Sequence, residues 1–205
     1  MALNVLVTGV TGYVGSVLAP RLERDGHVLR GLARNPSRAN VPFPVLAGDL
    51  VTGTGLREAL EGIDVAYFLI HSMEPASDGA FPTRERQAAE NFARAAAEAG
   101  VDRIVYLGGP VPAAGRVSTH LSSRLEVERA LLEAVPCAVA FRASIVIGAR
   151  SRSFRFLVRL VERMPVLTVP AWRTNRTAPI DERDVIELLA RAATDEKVCG
   201  CSLDA

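Results

Sequence analysis

Three glycines set the first chemical possibility. Gly9, Gly12 and Gly15 stand at G-x-x-G-x-x-G spacing in NVLVTGVTGYVG, between an apolar run (Val5, Leu6, Val7) and a helical stripe (Val14, Val17, Leu18, Leu22). The first glycine permits a tight turn, the second lets backbone approach a pyrophosphate, and the third lets helix pack on strand. N–H groups at the helix start then face the phosphates, aided by the helix dipole. The spacing predicts a dinucleotide site in which Gly9, Thr11, Gly12, Tyr13, Val14 and Gly15 hold the pyrophosphate.

The next residues bear on which dinucleotide. A site that prefers NAD places a carboxylate about 20 residues on, for the adenosine ribose hydroxyls. Here Arg34 holds that place, with Ser37 and Arg38 close behind and no carboxylate nearby. A guanidinium grips a 2′-phosphate that an acid would repel. The expected cofactor is therefore NADP(H) over NAD(H). The alternative is a pair of solvated arginines, in a chain whose only lysine is Lys197. Asp49, beside Leu50, stands where a carboxylate accepts from an adenine amino group; equally, it caps or turns the chain before a helix. Ile70 and His71 end the fourth apolar run and should face the cofactor, His71 more as a lining residue than as a base.

The elements that position these residues alternate along the chain. Strands are expected at Val5 to Val7, Val28 to Ala33, Val45 to Leu50, Val65 to Ile70, Arg103 to Leu107 and Cys137 to Phe141. A helix from Thr83 to Ala99 carries Ala88, Phe92, Ala95, Ala96 and Ala99 on one face, and another from His120 to Ala134 should bury Leu121, Leu125 and Leu132. Leu157, Leu160, Val161 and Met164 stripe a further helix before Pro165, and Val185, Leu188 and Leu189 mark the last. This pattern predicts an α/β fold. It is a single doubly wound parallel sheet (a Rossmann fold) over residues 1–205, with ligand where strands one and four diverge.

The totals narrow the classes further. A formal net charge of +1 over 205 residues argues against a broad nucleic-acid footprint. The apolar runs are too short to span a bilayer. Met1-Ala2-Leu3 leads directly into the first strand, which leaves no room for a signal peptide. Cys137, Cys199 and Cys201 are odd in number and lack metal-ligand spacing, so no metal site is expected and a reducing cytoplasm fits.

TGVTGYVG at Thr8 to Gly15, AGDL at Ala47 to Leu50 and RIVYLGG at Arg103 to Gly109 recur in one order with FRASIVIG at Phe141 to Gly148 and APIDERDV at Ala178 to Val185. This series resembles the extended and atypical short-chain dehydrogenase/reductases, including their NAD(P)H-binding, NmrA-like and sugar-epimerase-like relatives, over nearly the whole chain. The resemblance implies that Ile70, His71, Leu107 and Gly108 line the ribose and ring, that Arg124 bonds the ribose, and that backbone at Ala143, Ser144 and Ile145 faces the carboxamide. Active relatives use a Ser or Thr after strand five and a Tyr-x-x-x-Lys helix. Here Gly108-Gly109 stand near the hydroxyl's place, and the helix reads His120-Leu121-Ser122-Ser123-Arg124, with Glu128 four residues on. The register is kept while both residues differ, and Ser118 to Arg124 resembles an atypical branch with this wording.

Neutral imidazole can donate and accept a proton near pH 7, so His120 is a candidate proton carrier, against a structural or ribose-contacting role. Extended relatives continue into a strand and a substrate cap. Here residues from about 149 to 205 read as an abbreviated substrate-side region with a short or missing cap. Cys199 and Cys201 are too close to bridge without strain, so the end reads as a fraying tail. The resemblance implies an NADP(H)-dependent oxidoreductase acting on a small carbonyl or quinone-like compound. Its alternative is a non-catalytic NADP(H)-binding redox sensor or structural protein. The two long helices could pair in a homodimer, as in relatives, or bury against the chain's own sheet.

Overall fold

Strands that are apolar on both sides must be covered on both faces, and this sheet is. The computed structural model describes residues 1–70, 81–111, 119–164 and 177–205, with the side chains of residues 81–83 and 119–121 excepted. The first half contains β1 (Asn4–Thr8), α1 (Tyr13–Arg24), β2 (Val28–Ala33), β3 (Val45–Ala47), α2 (Leu56–Leu60), β4 (Val65–Phe68) and α3 (Phe81–Glu98). The second contains β5 (Arg103–Gly108), α4 (Thr119–Leu132), β6 (Cys137–Arg142), β7 (Val146–Ile147), α5 (Arg152–Arg163), β8 (Ile180–Asp181), α6 (Glu182–Arg191) and β9 (Cys201–Asp204).

Seven strands form one parallel sheet in the order β3-β2-β1-β4-β5-β6-β9. The chain leaves β1 toward β2 on one side and returns to β4 on the other, which opens a crevice at their carboxyl ends. Successive side chains alternate between two cores. Leu6, Ala66, Phe68, Ile104 and Tyr106 join α2, α3 and α4 on one face, where Phe92 meets the Phe68 ring edge-on at 5.2 Å between centroids. Val5, Val7, Tyr67, Val105 and Val139 join α1 and α6 on the other. The Tyr67 hydroxyl donates to the Leu189 carbonyl at 2.8 Å, and Arg103 Nη1 donates to the carbonyls of Ala192 and Asp195 at 2.7 and 2.6 Å. Both fasten α6 to the sheet.

Three expectations change. The end of the chain does not fray: Cys201–Asp204 pairs with β6 as a seventh strand, because the β6 edge offers unpaired N–H and C=O groups. Cys199, for which the sequence offered no bonded partner, is bonded to Cys137, and the free thiol is Cys201. On α4 the buried positions are Ser123, Val127, Glu128 and Leu131, with Leu125 and Leu132 only half-buried, because the helix leans on α3 as well as on the sheet. The Leu121 side chain lies outside the described residues.

Candidate functional site

The corner after β1 is built from one buried hydroxyl and three absent side chains. Thr8 Oγ1 donates to the Tyr67 carbonyl at 2.7 Å and accepts from the Leu69 N–H at 3.2 Å, which clamps β1 to β4 at the crevice. Gly9 then turns the chain with φ +70° and accepts from the Gly12 N–H at 2.8 Å. A Cβ on Gly15 would run into that same Gly9 carbonyl. Gly12 caps α1 without any side-chain bond, and no acidic residue stands in the first turn. The first N–H groups of α1 therefore lack a side-chain acceptor and point their dipole toward solvent. That cradle fits a diphosphate. Thr11 beside it is exposed and Val14 half-buried. The Tyr13 ring turns away: its hydroxyl lies against Gly148 and Glu182, where burial first, and then the Glu182 carboxylate, push the phenol far above its ordinary pKa. What Tyr13 offers at the corner is its N–H.

Arg34 and Arg38 are exposed beyond β2, with no carboxylate at ion-pair distance among the described residues. Asn35 Oδ1 accepts from the Ser37 N–H at 3.1 Å and from its hydroxyl at 2.6 Å, which shapes the turn Pro36–Arg38 between the two arginines. Asp49 Oδ1 accepts from the Val51 N–H at 2.7 Å, the turning role that its position allowed. The Leu50 side chain is buried in the core, and its carbonyl accepts from Asn91 Nδ2 at 2.9 Å.

Across the crevice from β2 lie the carboxyl ends of β4, β5 and β6. Gly9 backs onto Leu69 and Ile70, and Leu107 is buried under the end of β5. The Gly108 carbonyl accepts from the Ala143 N–H at 3.2 Å, Ile145 accepts from the Ile180 N–H at 3.1 Å, and the Ser144 hydroxyl donates to the Ala178 carbonyl. The segment from Ala143 to Ile145 is thus strung between β5 and β8. Arg124 lays its guanidinium against Gly109, in space that a Cβ would take, and its buried Nε has no partner among the described residues. His71 lies outside the described residues. His120 is helical in α4, and its side chain lies outside them too.

Sequence reasoning missed two parts of this scaffold. Thr8 had a faint signal, a hydroxyl closing an otherwise apolar strand. Glu128 was placed by its register after Arg124, but nothing signalled that its carboxylate accepts from Arg142 and Ser202 and so joins α4, β6 and β9. Among the described residues, no cluster of His, Cys, Asp or Glu could hold a metal ion, and no helix is long and apolar enough to cross a membrane.

Comparison with known proteins agrees with this geometry. Residues 9–132, from the glycine corner to the end of α4, match the family described as NAD(P)H-binding. The chain belongs to the NAD(P)H-binding family. The match begins at Gly9, the first glycine of the corner between β1 and α1. The chain is 28% identical over 184 residues to a ceramide reductase from Caulobacter vibrioides, covering 88% of this chain and 57% of that protein. It is 42% identical over 106 residues to a (4-alkanoyl-5-oxo-2,5-dihydrofuran-3-yl)methyl phosphate reductase from Streptomyces griseus, covering 50% of this chain and 33% of that one. The chain thus spans little more than half, or less, of the length of these relatives. A short-chain dehydrogenase/reductase superfamily protein from Agrobacterium tumefaciens with bound NAD shares the fold at a TM-score of 0.76 and 20% identity, over 98% of this chain and 76% of that one. A UDP-N-acetylglucosamine 4-epimerase from Bacillus cereus shares it at 0.75 and 17%, over 100% and 78%. The resemblance to the short-chain dehydrogenase/reductases holds in fold, and the family shown is the NAD(P)H-binding one.

Proposed function

We propose that this protein is an NADP(H)-dependent oxidoreductase that moves hydride to or from a small carbonyl or quinone-like compound. One observation carries the reading: the start of α1, without an acid or a side-chain cap, opens at the sheet's switch point, and Arg34 and Arg38 beyond the neighbouring strand have no ion-pair partner among the described residues. When bound, the nicotinamide supplies the hydride chemistry. The chain's own residues bind and orient. N–H groups from Gly12 to Gly15 meet the diphosphate, and Arg34 and Arg38 the 2′-phosphate. Arg124 meets the ribose, backbone from Ala143 to Ile145 the carboxamide, and His120 holds the proton. That two relatives are named reductases supports the oxidoreductase class.

Calorimetric titration with NADPH and NADH tests the cofactor, and NADPH oxidation against carbonyl and quinone panels tests the reaction. Tighter binding of NADPH with turnover of one acceptor is expected. Gly108 and Gly109, near the place where active relatives carry a hydroxyl, favour a second reading as a non-catalytic NADP(H)-binding protein. Tight NADPH binding without turnover of any acceptor would select it. Full activity in a His120→Phe variant would remove His120 from the mechanism.

A further inference from the structure

The helix α5 is built like a core helix and is not in the core. Ser151 caps it, accepting from the Phe154 N–H at 3.3 Å, and the helix runs twelve residues with none buried. At 3.6 residues per turn its side chains divide cleanly. Phe154, Leu157, Leu160, Val161 and Met164 occupy one broad arc, widened by Phe156 and Val158 at its margins. Phe156 is 64% exposed and Val161 69% exposed. An isolated helix of this length is marginal in water and gains its stability from whatever covers its apolar face. Among the described elements α5 leans chiefly on β7. An open depression of about 410 Å³, lined by Ile145, Arg152, Ser153, Phe156 and Leu157, runs along its foot.

The opposite arc decides what kind of cover fits. Arg152, Arg155, Arg159 and Arg163 lie there with Glu162 as the only acid, and Arg150 precedes them. All four helix arginines are exposed, and none has an ion-pair partner among the described residues. A protein on the apolar arc, a second copy of α5 included, would cover that arc and leave the four guanidinium groups facing away from the contact. An anionic lipid surface satisfies both arcs at once. Apolar side chains enter the acyl boundary, while guanidinium groups on long apolar stems reach the headgroup phosphates. We propose that α5 is a membrane-surface helix that docks this protein on anionic bilayers, lying in the interface without crossing it. The proposal is independent of the cofactor.

Co-sedimentation of the full chain with phosphatidylcholine vesicles, with and without phosphatidylglycerol, tests it. Binding is expected only to the anionic vesicles and should weaken as salt rises. Arg155→Gln and Arg159→Gln should each lower it about fivefold. The pair Phe156→Asp and Val161→Asp should abolish it with unchanged circular dichroism and melting midpoint, since neither side chain is buried. Absence of binding to anionic vesicles, or binding that survives the double aspartate variant, would overturn the proposal. So would a concentration-dependent dimer in sedimentation velocity that the aspartates dissolve while the wild type ignores vesicles, which would assign the face to a second copy.

Discussion

Arg142 forks onto Glu128 where β6 meets α4: Nη2 lies 2.7 Å from Oε1 and Nε 3.0 Å from Oε2. The Ser202 hydroxyl of β9 donates to the same carboxylate at 2.6 Å, and Glu128 is only 5% exposed. A planar guanidinium matched to a carboxylate fixes orientation as well as distance. The helix held in this way carries His120 and Arg124, so the pair sets where α4 stands relative to the sheet.

Removing the carboxylate should be costly. Glu128→Gln leaves the half-buried Arg142 guanidinium with only the exposed Asp204 carboxylate, 3.9 Å away, and a loss of roughly 3 kcal/mol is expected. Urea denaturation would show it as a lower midpoint at unchanged slope. An unchanged midpoint would mean that the fork contributes nothing net.

The same residue predicts a pH dependence. Burial alone would raise the Glu128 carboxyl, but the bonds from Arg142 and Ser202 outweigh it and hold the pKa below its ordinary value. A carboxyl depressed on folding contributes stability that is fully present above its unfolded pKa, near 4.3, and is lost as pH falls through the folded value. Melting temperatures between pH 7 and 3 should fall more steeply for wild type than for Glu128→Gln. Parallel profiles would refute the assignment, since the half-buried Asp181 and Glu187 carboxylates, also lowered, are present in both proteins.

Gly15→Ala should damage the corner. The new methyl would meet the Gly9 carbonyl, which is backbone and cannot swing aside, so α1 must shift at a cost of about 1–3 kcal/mol. NADPH binding should fall with it. Gly26→Ala makes the control: it has open space and φ +86°, so it should cost stability alone. Equal NADPH affinity in both variants would remove the corner from the site.

Replacing Arg34 and Arg38 by serine should lower NADPH affinity by tenfold or more, since a bond to a charged group is worth about 1.5–3 kcal/mol. NADH affinity should stay within error. A uniform loss for both nucleotides would point to general electrostatics in place of 2′-phosphate selection.

Cys137 and Cys199 lie 62 residues apart with Cα atoms at 4.6 Å, and their bond staples the turn before β9 to the start of β6. Closing a loop of that length restricts the unfolded chain by up to about 4 kcal/mol. Cys199→Ser should lower the denaturation midpoint, and alkylation of the folded, unreduced protein should label Cys201 alone. Three reactive thiols under those conditions would rule the bond out.

The sequence by itself determined six strands of the main sheet to within a few residues at their ends, the long helices between them, the glycine corner and the family. Each is written in neighbouring residues: continuous apolar runs make buried parallel strands, and Gly9, Gly12 and Gly15 mark a turn that tolerates no side chains. β2 runs from Val28 to Ala33 as expected, while the third and fourth strands stop short of Leu50 and Ile70. The tertiary structure decided what distant residues do for one another. The last residues form a strand only because the β6 edge awaits a partner. Asp49 spends one carboxylate oxygen on the turn at Val51. Glu128 finds Arg142 only once α4 lies across β6. The α5 stripe shows the same limit from the other side: periodicity declares that a helix has an apolar face, but which surface covers it depends on where the remaining elements settle.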